Sequence, residues 1–148
     1  MNTFKTQLPL FQLKKLQSEF PKIKVTTSKD SADFIRQFYG DDLEVFESFF
    51  ILMLNQANNT IGYAKISQGG IAGTVVDIRI ILKYAVESLA TSVIISHNHP
   101  SGNLKPSRQD EEITQKIKSA FALLDIRLLD HVIITSESYL SFGDEGIL

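Results

Sequence analysis

Two of the chain's three histidines stand one residue apart, His97 and His99, in the stretch "SHNHPSGNLKPSRQD" at 96–110, which also holds Ser107 and Asp110. Imidazole is costly to bury and useful for binding metal. In extended backbone, residues i and i+2 point to the same side, so His97 and His99 can reach one ion while Asn98 is directed elsewhere. With Ser107 as a helix N-cap, Asp110 falls at the third helical position, where its carboxylate can face back and serve as a third ligand. Two neutral imidazoles and one carboxylate leave a tetrahedral Zn²⁺ one open position, the pattern of a catalytic rather than a structural zinc site. An ion held this way lowers the pKa of a water at the open position to about 7.

Simpler readings stand beside this one. Ser-x-x-Asp ahead of an apolar run is a capping signature that needs no metal, and paired histidines often sit on a surface. The cap and the ligand role are compatible, because a cap fixes the helix that presents Asp110. A non-haem Fe(II) site also uses two histidines and a carboxylate, but it gives Ser107 no role. Deaminase chemistry in its usual form needs a Pro-Cys-x-x-Cys motif, and the chain has no cysteine. Disulfides, Cys-based zinc ribbons and thiol nucleophiles are excluded with it.

The elements that must position these residues can be read from the flanking pattern. "SVIIS" predicts a short buried strand ending at His97, and a helix is expected from Ser107 to about 124 with its stripe at 113, 117, 120, 121 and 124. Upstream, "TTSKDSADFIRQFYG" predicts a helix capped by Ser28 or Asp30 and ended by Gly40. "ESFFILMLN" and "TIGYAKISQ" read as a hairpin around "NQANN", the first strand buried on both faces. Asp77 is placed to cap "IRIILKYAVESLA", with apolar positions 78, 81, 82, 85 and 89. "IRLLDHVIIT" and "SYLSF" are the last strands. In the former, Asp130 and His131 face opposite sides; His131 is expected to be structural or to support a ligand, and Asp130 is one candidate to orient a liganding imidazole. The glycines at 69, 70 and 73 do not match a phosphate loop and suggest a flexible loop near the site, a substrate flap. In residues 1–27, "PLFQLKKLQSEF" suggests a short amphipathic helix on 10, 13, 16 and 20, and "KIKVTT" a weak strand. The order predicts an α/β or α+β sandwich with a central sheet flanked by helices.

Length and composition set the outer bounds. The chain has 148 residues, the size of one domain. A formal charge of −2 and a pI near 5.9 argue against a nucleic-acid partner, since Lys and Arg are scattered rather than striped. No basic region precedes a long apolar run at the N-terminus, and no apolar stretch approaches the roughly 18 residues of a membrane span. These features predict a cytoplasmic protein with no membrane partner.

The spacing His-x-His, seven residues, Ser, two residues, Asp is matched in full by His97, His99, Ser107 and Asp110, and it resembles the signature of the JAMM (JAB/MPN) metalloproteases. The longer string "HNHPSGNLKPSRQD" with "LLDHVIIT" and "YLSFGDEG" is similar to the RadC family within that group. The resemblance covers about residues 28–148. It implies a cytidine-deaminase-like JAMM sandwich, an α/β (α+β) fold with a central mixed sheet flanked by helices. It implies zinc as cofactor and a hydrolase that attacks the amide bond of a peptide or protein substrate. It also implies an upstream glutamate as general acid/base, with Glu47 the match and Glu44 the second choice, and Ser107 as an oxyanion-stabilising group. The expected division is an N-terminal extension over 1–27 and the JAMM domain over 28–148. Longer RadC proteins typically carry a helix-hairpin-helix segment ahead of this domain, for which 27 residues are too few. The family name came from a proposed DNA-repair role, which that difference and the acidic balance weaken for this chain.

Overall fold

A computed structural model describes residues 7–70 and 75–148 of the chain. In order, the elements are α1 (Ser28–Tyr39), β1 (Ser48–Leu54), β2 (Thr60–Gln68), α2 (Ile78–Glu87), β3 (Ser92–Asn98), α3 (Arg108–Ala122), β4 (Arg127–Ile134) and β5 (Tyr139–Ser141). The strands form one sheet in the order β2-β1-β3-β4-β5. β3 and β4 pair in parallel, with α3 as the crossover between them; the other neighbours are antiparallel.

Strand parity builds two cores from one sheet. Phe49, Ile51, Met53, Val93 and Ile95 face α2 and α3, where they meet Ile81, Ala85, Ile117 and Phe121. Phe50, Leu52, Leu54 and Ile94 face the other way, onto Ala32, Phe34, Ile35 and Tyr39 of α1. β1 is therefore buried at every position, and apolar from Phe49 onward, because both of its faces are covered. The result is a three-layer mixed α/β domain, as the alternation of elements predicts.

The helix ends follow local chemistry. Asp77 caps α2 by accepting from the Arg79 amide. α1 is capped by Thr27, not by Ser28 or Asp30; Asp30 instead completes a capping box from the third helical position. Leu89, expected on the buried stripe of α2, lies beyond the helix with positive φ and is 82% exposed.

The amphipathic helix expected near 10–20 is absent. Residues 9–18 carry no helix, and Leu8, Leu10, Phe11 and Leu16 are exposed. Pro9 and Pro21 bracket the segment, and a helix this short is marginal without a face to bury. Only its end is anchored: Phe20 packs edge-on against Phe34 and Tyr63 and contacts Phe38. The weak strand at "KIKVTT" reduces to a single bridge, Lys24 with Asn59, beside a buried Val25. Among the described residues, no helix is long and apolar enough to cross a membrane.

Candidate metal centre

The sheet register assembles the site. β1 and β3 run antiparallel with Phe49 opposite His97, so the chain just before β1 lies beside the chain just after β3. Glu47, Phe49, His97 and His99 share the parity of the α2/α3 side. Asn98 has the opposite parity. Its fully buried amide accepts from the Ser48 amide at 2.7 Å and donates to the carbonyls of Leu43 at 2.7 Å and Phe46 at 2.8 Å. Asn98 thus ties the segment that carries Glu47 to the strand that carries the imidazoles. Sequence reasoning noted only that Asn98 points away.

α3 contributes from the other direction. Ser107 is its N-cap: the hydroxyl oxygen accepts from the Asp110 amide at 3.0 Å, and the Asp110 carboxylate accepts from the Ser107 amide at 2.8 Å. The capping box and the turn toward the imidazoles coexist. Asp110 Oδ1 lies 3.3 Å from His97 Nε2, Asp110 Oδ2 lies 3.5 Å from His99 Nε2, and the two Nε2 atoms are 2.9 Å apart. Between β3 and α3, Gly102 adopts φ +84°, which turns the loop so that the Asn103 carbonyl meets His99 Nδ1 at 2.5 Å. A carbonyl only accepts, so the His99 ring carries a proton at Nδ1.

Among the described residues, Glu47, His97 and His99 each place a ligand atom within 4.8 Å of the others. Asp110 meets the same two imidazoles more closely, one carboxylate oxygen to each ring. Bonds of about 2.0–2.1 Å to a tetrahedral ion set its ligand atoms about 3.3 Å apart, and the separations among His97, His99 and Asp110 bracket that value. With a lone pair on both Nε2 atoms, two ring nitrogens and a carboxylate this close are held together by one shared positive charge, a metal ion or a proton. The donor set therefore fits a metal ion.

The electrostatics agree. Burial opposes the charge on Asp110, yet its close contacts with His97 and His99 and the Ser107 amide outweigh it and hold its carboxyl well below the usual range. Burial also pulls His99 down, but Asp110, the Asn103 carbonyl and Glu47 together hold it above its ordinary value. Glu47, Phe49, His97, His99, Ser107 and Asp110 line one cleft of about 420 Å³, flanked on its apolar side by Val75, Val76 and Ile113. Glu44 is exposed and lies off this wall. The expected glycine flap is described only in part: Gly69 donates to the Glu47 carbonyl at 2.9 Å, while Gly73 lies outside the described residues.

Asp130 does not orient an imidazole. Its carboxylate accepts from Ser141 Oγ at 2.5 Å and from the amides of Gly143 and His131, each at 2.9 Å or less, fastening the C-terminal turn to β4. His131 supports His97 instead, with Nε2 at 2.8 Å from His97 Nδ1. A register shift makes this possible. Val93 pairs with Leu128 but Ile94 pairs with Asp130, so β4 accommodates one extra residue. The shift reverses the parity of everything after it and turns His131 onto the α3 side. Burial drives its imidazole well below the ordinary value, so the ring is neutral.

Fold and site together define a mixed α/β domain with a cleft at the end of a central strand whose histidines and carboxylates could hold an ion. The chain belongs to the RadC-like JAB domain family, whose model matches residues 25–147. It is 48% identical over 124 residues to a UPF0758 protein of Flavobacterium johnsoniae, covering 84% of this chain and 53% of that one. UPF0758 proteins of Porphyromonas gingivalis (45% over 103 residues, 69% of this chain and 45% of that one) and Neisseria meningitidis serogroup B (37% over 134 residues, 90% and 59%) are also similar. The chain spans about half the length of these relatives. The RadC resemblance seen in "HNHPSGNLKPSRQD" is thereby borne out.

Proposed function

We propose that this domain is a zinc-dependent amide hydrolase, a metallopeptidase or isopeptidase acting on a peptide or protein substrate. One observation carries the reading: His97 Nε2, His99 Nε2 and the Asp110 carboxylate lie 2.9, 3.3 and 3.5 Å apart, with a Glu47 carboxylate oxygen within 4.8 Å of both imidazoles. Zinc bound there supplies Lewis acidity toward a carbonyl oxygen and a water-derived nucleophile at neutral pH.

The remaining work belongs to the chain. Glu47 takes a proton from the attacking water and returns it to the leaving amine. The Ser107 oxygen is occupied as an acceptor by the Asp110 amide, which leaves its hydroxyl proton to donate to the oxyanion that develops on the substrate. Phe49, Val75, Val76 and Ile113 offer an apolar wall for side chains flanking the scissile bond and reduce the water around it.

The test loads the purified chain with zinc and incubates it with a defined peptide library and with isopeptide-linked lysine conjugates, reading new amine termini by mass spectrometry. About one zinc per chain and cleavage by wild type are expected; Glu47→Gln should retain the zinc and lose the cleavage. Cleavage undiminished in Glu47→Gln would remove Glu47 from the reaction. Absence of stoichiometric zinc in wild type would remove the metal reading itself.

A further inference from the structure

We propose that Thr114 and His131 are positioning residues that set the tautomer of His97, holding its ring proton at Nδ1 so that Nε2 presents a lone pair to the site. The proposal rests on the reading of His97 as a metal ligand and adds what holds it ready. Both residues are fully buried, with 0% exposure, and neither touches the cleft. Their polar atoms form a single file. Thr114 Oγ1 donates to the Asp110 carbonyl at 2.6 Å. The same oxygen lies 2.6 Å from His131 Nδ1, and His131 Nε2 lies 2.8 Å from His97 Nδ1.

Counting protons along the file leaves one arrangement. A threonine hydroxyl has one proton, and the Asp110 carbonyl, which can only accept, takes it. Toward His131 the hydroxyl must therefore accept, so His131 Nδ1 carries a proton. The His131 ring makes no hydrogen bond to a carboxylate among the described residues, and a buried ring in that setting is neutral. Its Nε2 then holds a lone pair, and His97 Nδ1 must donate to it. His97 Nε2, 3.3 Å from Asp110 Oδ1, is left with its lone pair toward the site.

The file begins on the backbone carbonyl of Asp110 and ends beside that residue's own carboxylate. α3 thus supplies the Asp110 carboxylate and, one turn later, the hydroxyl that orients the opposing ring. Neutral histidine in water favours the Nε2–H form, which cannot bind a metal through Nε2, so His97 needs such a device. His99 obtains the same result from the Asn103 carbonyl in an exposed loop. For His97 the acceptor is another imidazole, and its direction is set two residues away. The extra residue in β4 is what places His131 in line.

The experiment is a long-range ¹⁵N correlation spectrum of the imidazole nitrogens in chelator-treated full-length protein, held at a pH where the rings are neutral. It is paired with zinc affinity from competition with a chromophoric chelator, on wild type, Thr114→Val and Thr114→Ser. The expected wild-type spectrum shows His97 and His131 both protonated at Nδ1. Thr114→Val matches the shape of threonine without the hydroxyl. It should shift both rings toward Nε2–H and weaken zinc binding roughly 10- to 100-fold, and Thr114→Ser should restore both. A wild-type His97 protonated at Nε2 overturns the proposal, and that spectrum needs no variant to fold. A folded Thr114→Val with unchanged tautomers and zinc affinity overturns it equally. Wild type that shows the expected tautomers but binds no zinc would defeat the metal reading and leave the relay standing.

Discussion

Replacing Asn98 by alanine should unfasten Glu47 from the site while leaving the imidazoles in place. The amide makes three hydrogen bonds, all to the backbone of residues 43–48, and is itself completely buried. Truncation strands the Ser48 amide and the carbonyls of Leu43 and Phe46. An unsatisfied buried group costs about 1–3 kcal/mol. Leu43 and Phe46 are only half-buried, so water can reach their carbonyls, and about 1 kcal/mol per group is the appropriate end of that range. The sum is about 3 kcal/mol, which for a chain of this size lowers the melting temperature by roughly 6–12 °C. Asn98→Asp should be at least as damaging, because a carboxylate would face two carbonyls. Thermal melts of zinc-loaded wild type and variant give the stability, and chelator competition gives the zinc affinity. Affinity should hold, since His97 and His99 have the opposite parity, while hydrolysis should fall as it does for Glu47→Gln. A melting temperature within about 2 °C of wild type, or zinc lost in step with stability, would refute the assignment of Asn98 as the tie between the two segments.

Other substitutions separate roles that the structure combines. Asp110→Asn retains an oxygen for the Ser107 amide, so it should keep the cap while weakening zinc binding and losing the carboxylate's coupling to the imidazoles; Asp110→Ala should in addition lose about 1 kcal/mol of capping. Chelator competition and melts on both variants test this. Gly102→Ala forces a side chain into φ +84°, which should cost about 1 kcal/mol and loosen the Asn103 carbonyl from His99, read as a lower melting temperature and weaker zinc binding. In zinc-free protein, Asp110 is held below its unfolded value of 3.8, so its stabilising contribution is present above that pH and is lost as pH falls through the folded pKa. His99 is raised above 6.5, so its contribution is full below that pH and is lost as pH rises through the folded pKa. Melts across pH should therefore show a maximum between those two values in wild type and a flatter profile in Asp110→Asn; identical profiles would contradict the coupling.

Much of this was legible in the residues because local chemistry and tertiary packing agree. β2 matches "TIGYAKISQ" residue for residue, and the Asp77 and Ser107 caps lie where their side chains suggest. His97 and His99 follow from strand parity alone. Glu47 is different: as a residue it is a charge before a strand, and only the antiparallel β1–β3 register brings it opposite His99. His131 was expected to be structural or to support a ligand, and it supports His97, whereas Asp130, the candidate named for orienting an imidazole, holds Ser141 and Gly143 instead; the extra residue in β4 that sets both orientations leaves no mark in the hydrophobic pattern. The failed helix near 10–20 shows the converse. Its spacing is helical, but prolines bracket it and Leu10 and Leu16 of the stripe stay exposed.

The double engagement of Asp110 makes the first turn of α3 and the cation site thermodynamically reciprocal. Whatever frays that turn withdraws a carboxylate from the imidazoles, and whatever occupies the site holds the turn closed. Ion occupancy should accordingly slow amide hydrogen exchange at the start of α3, a reporter of site loading that requires no substrate.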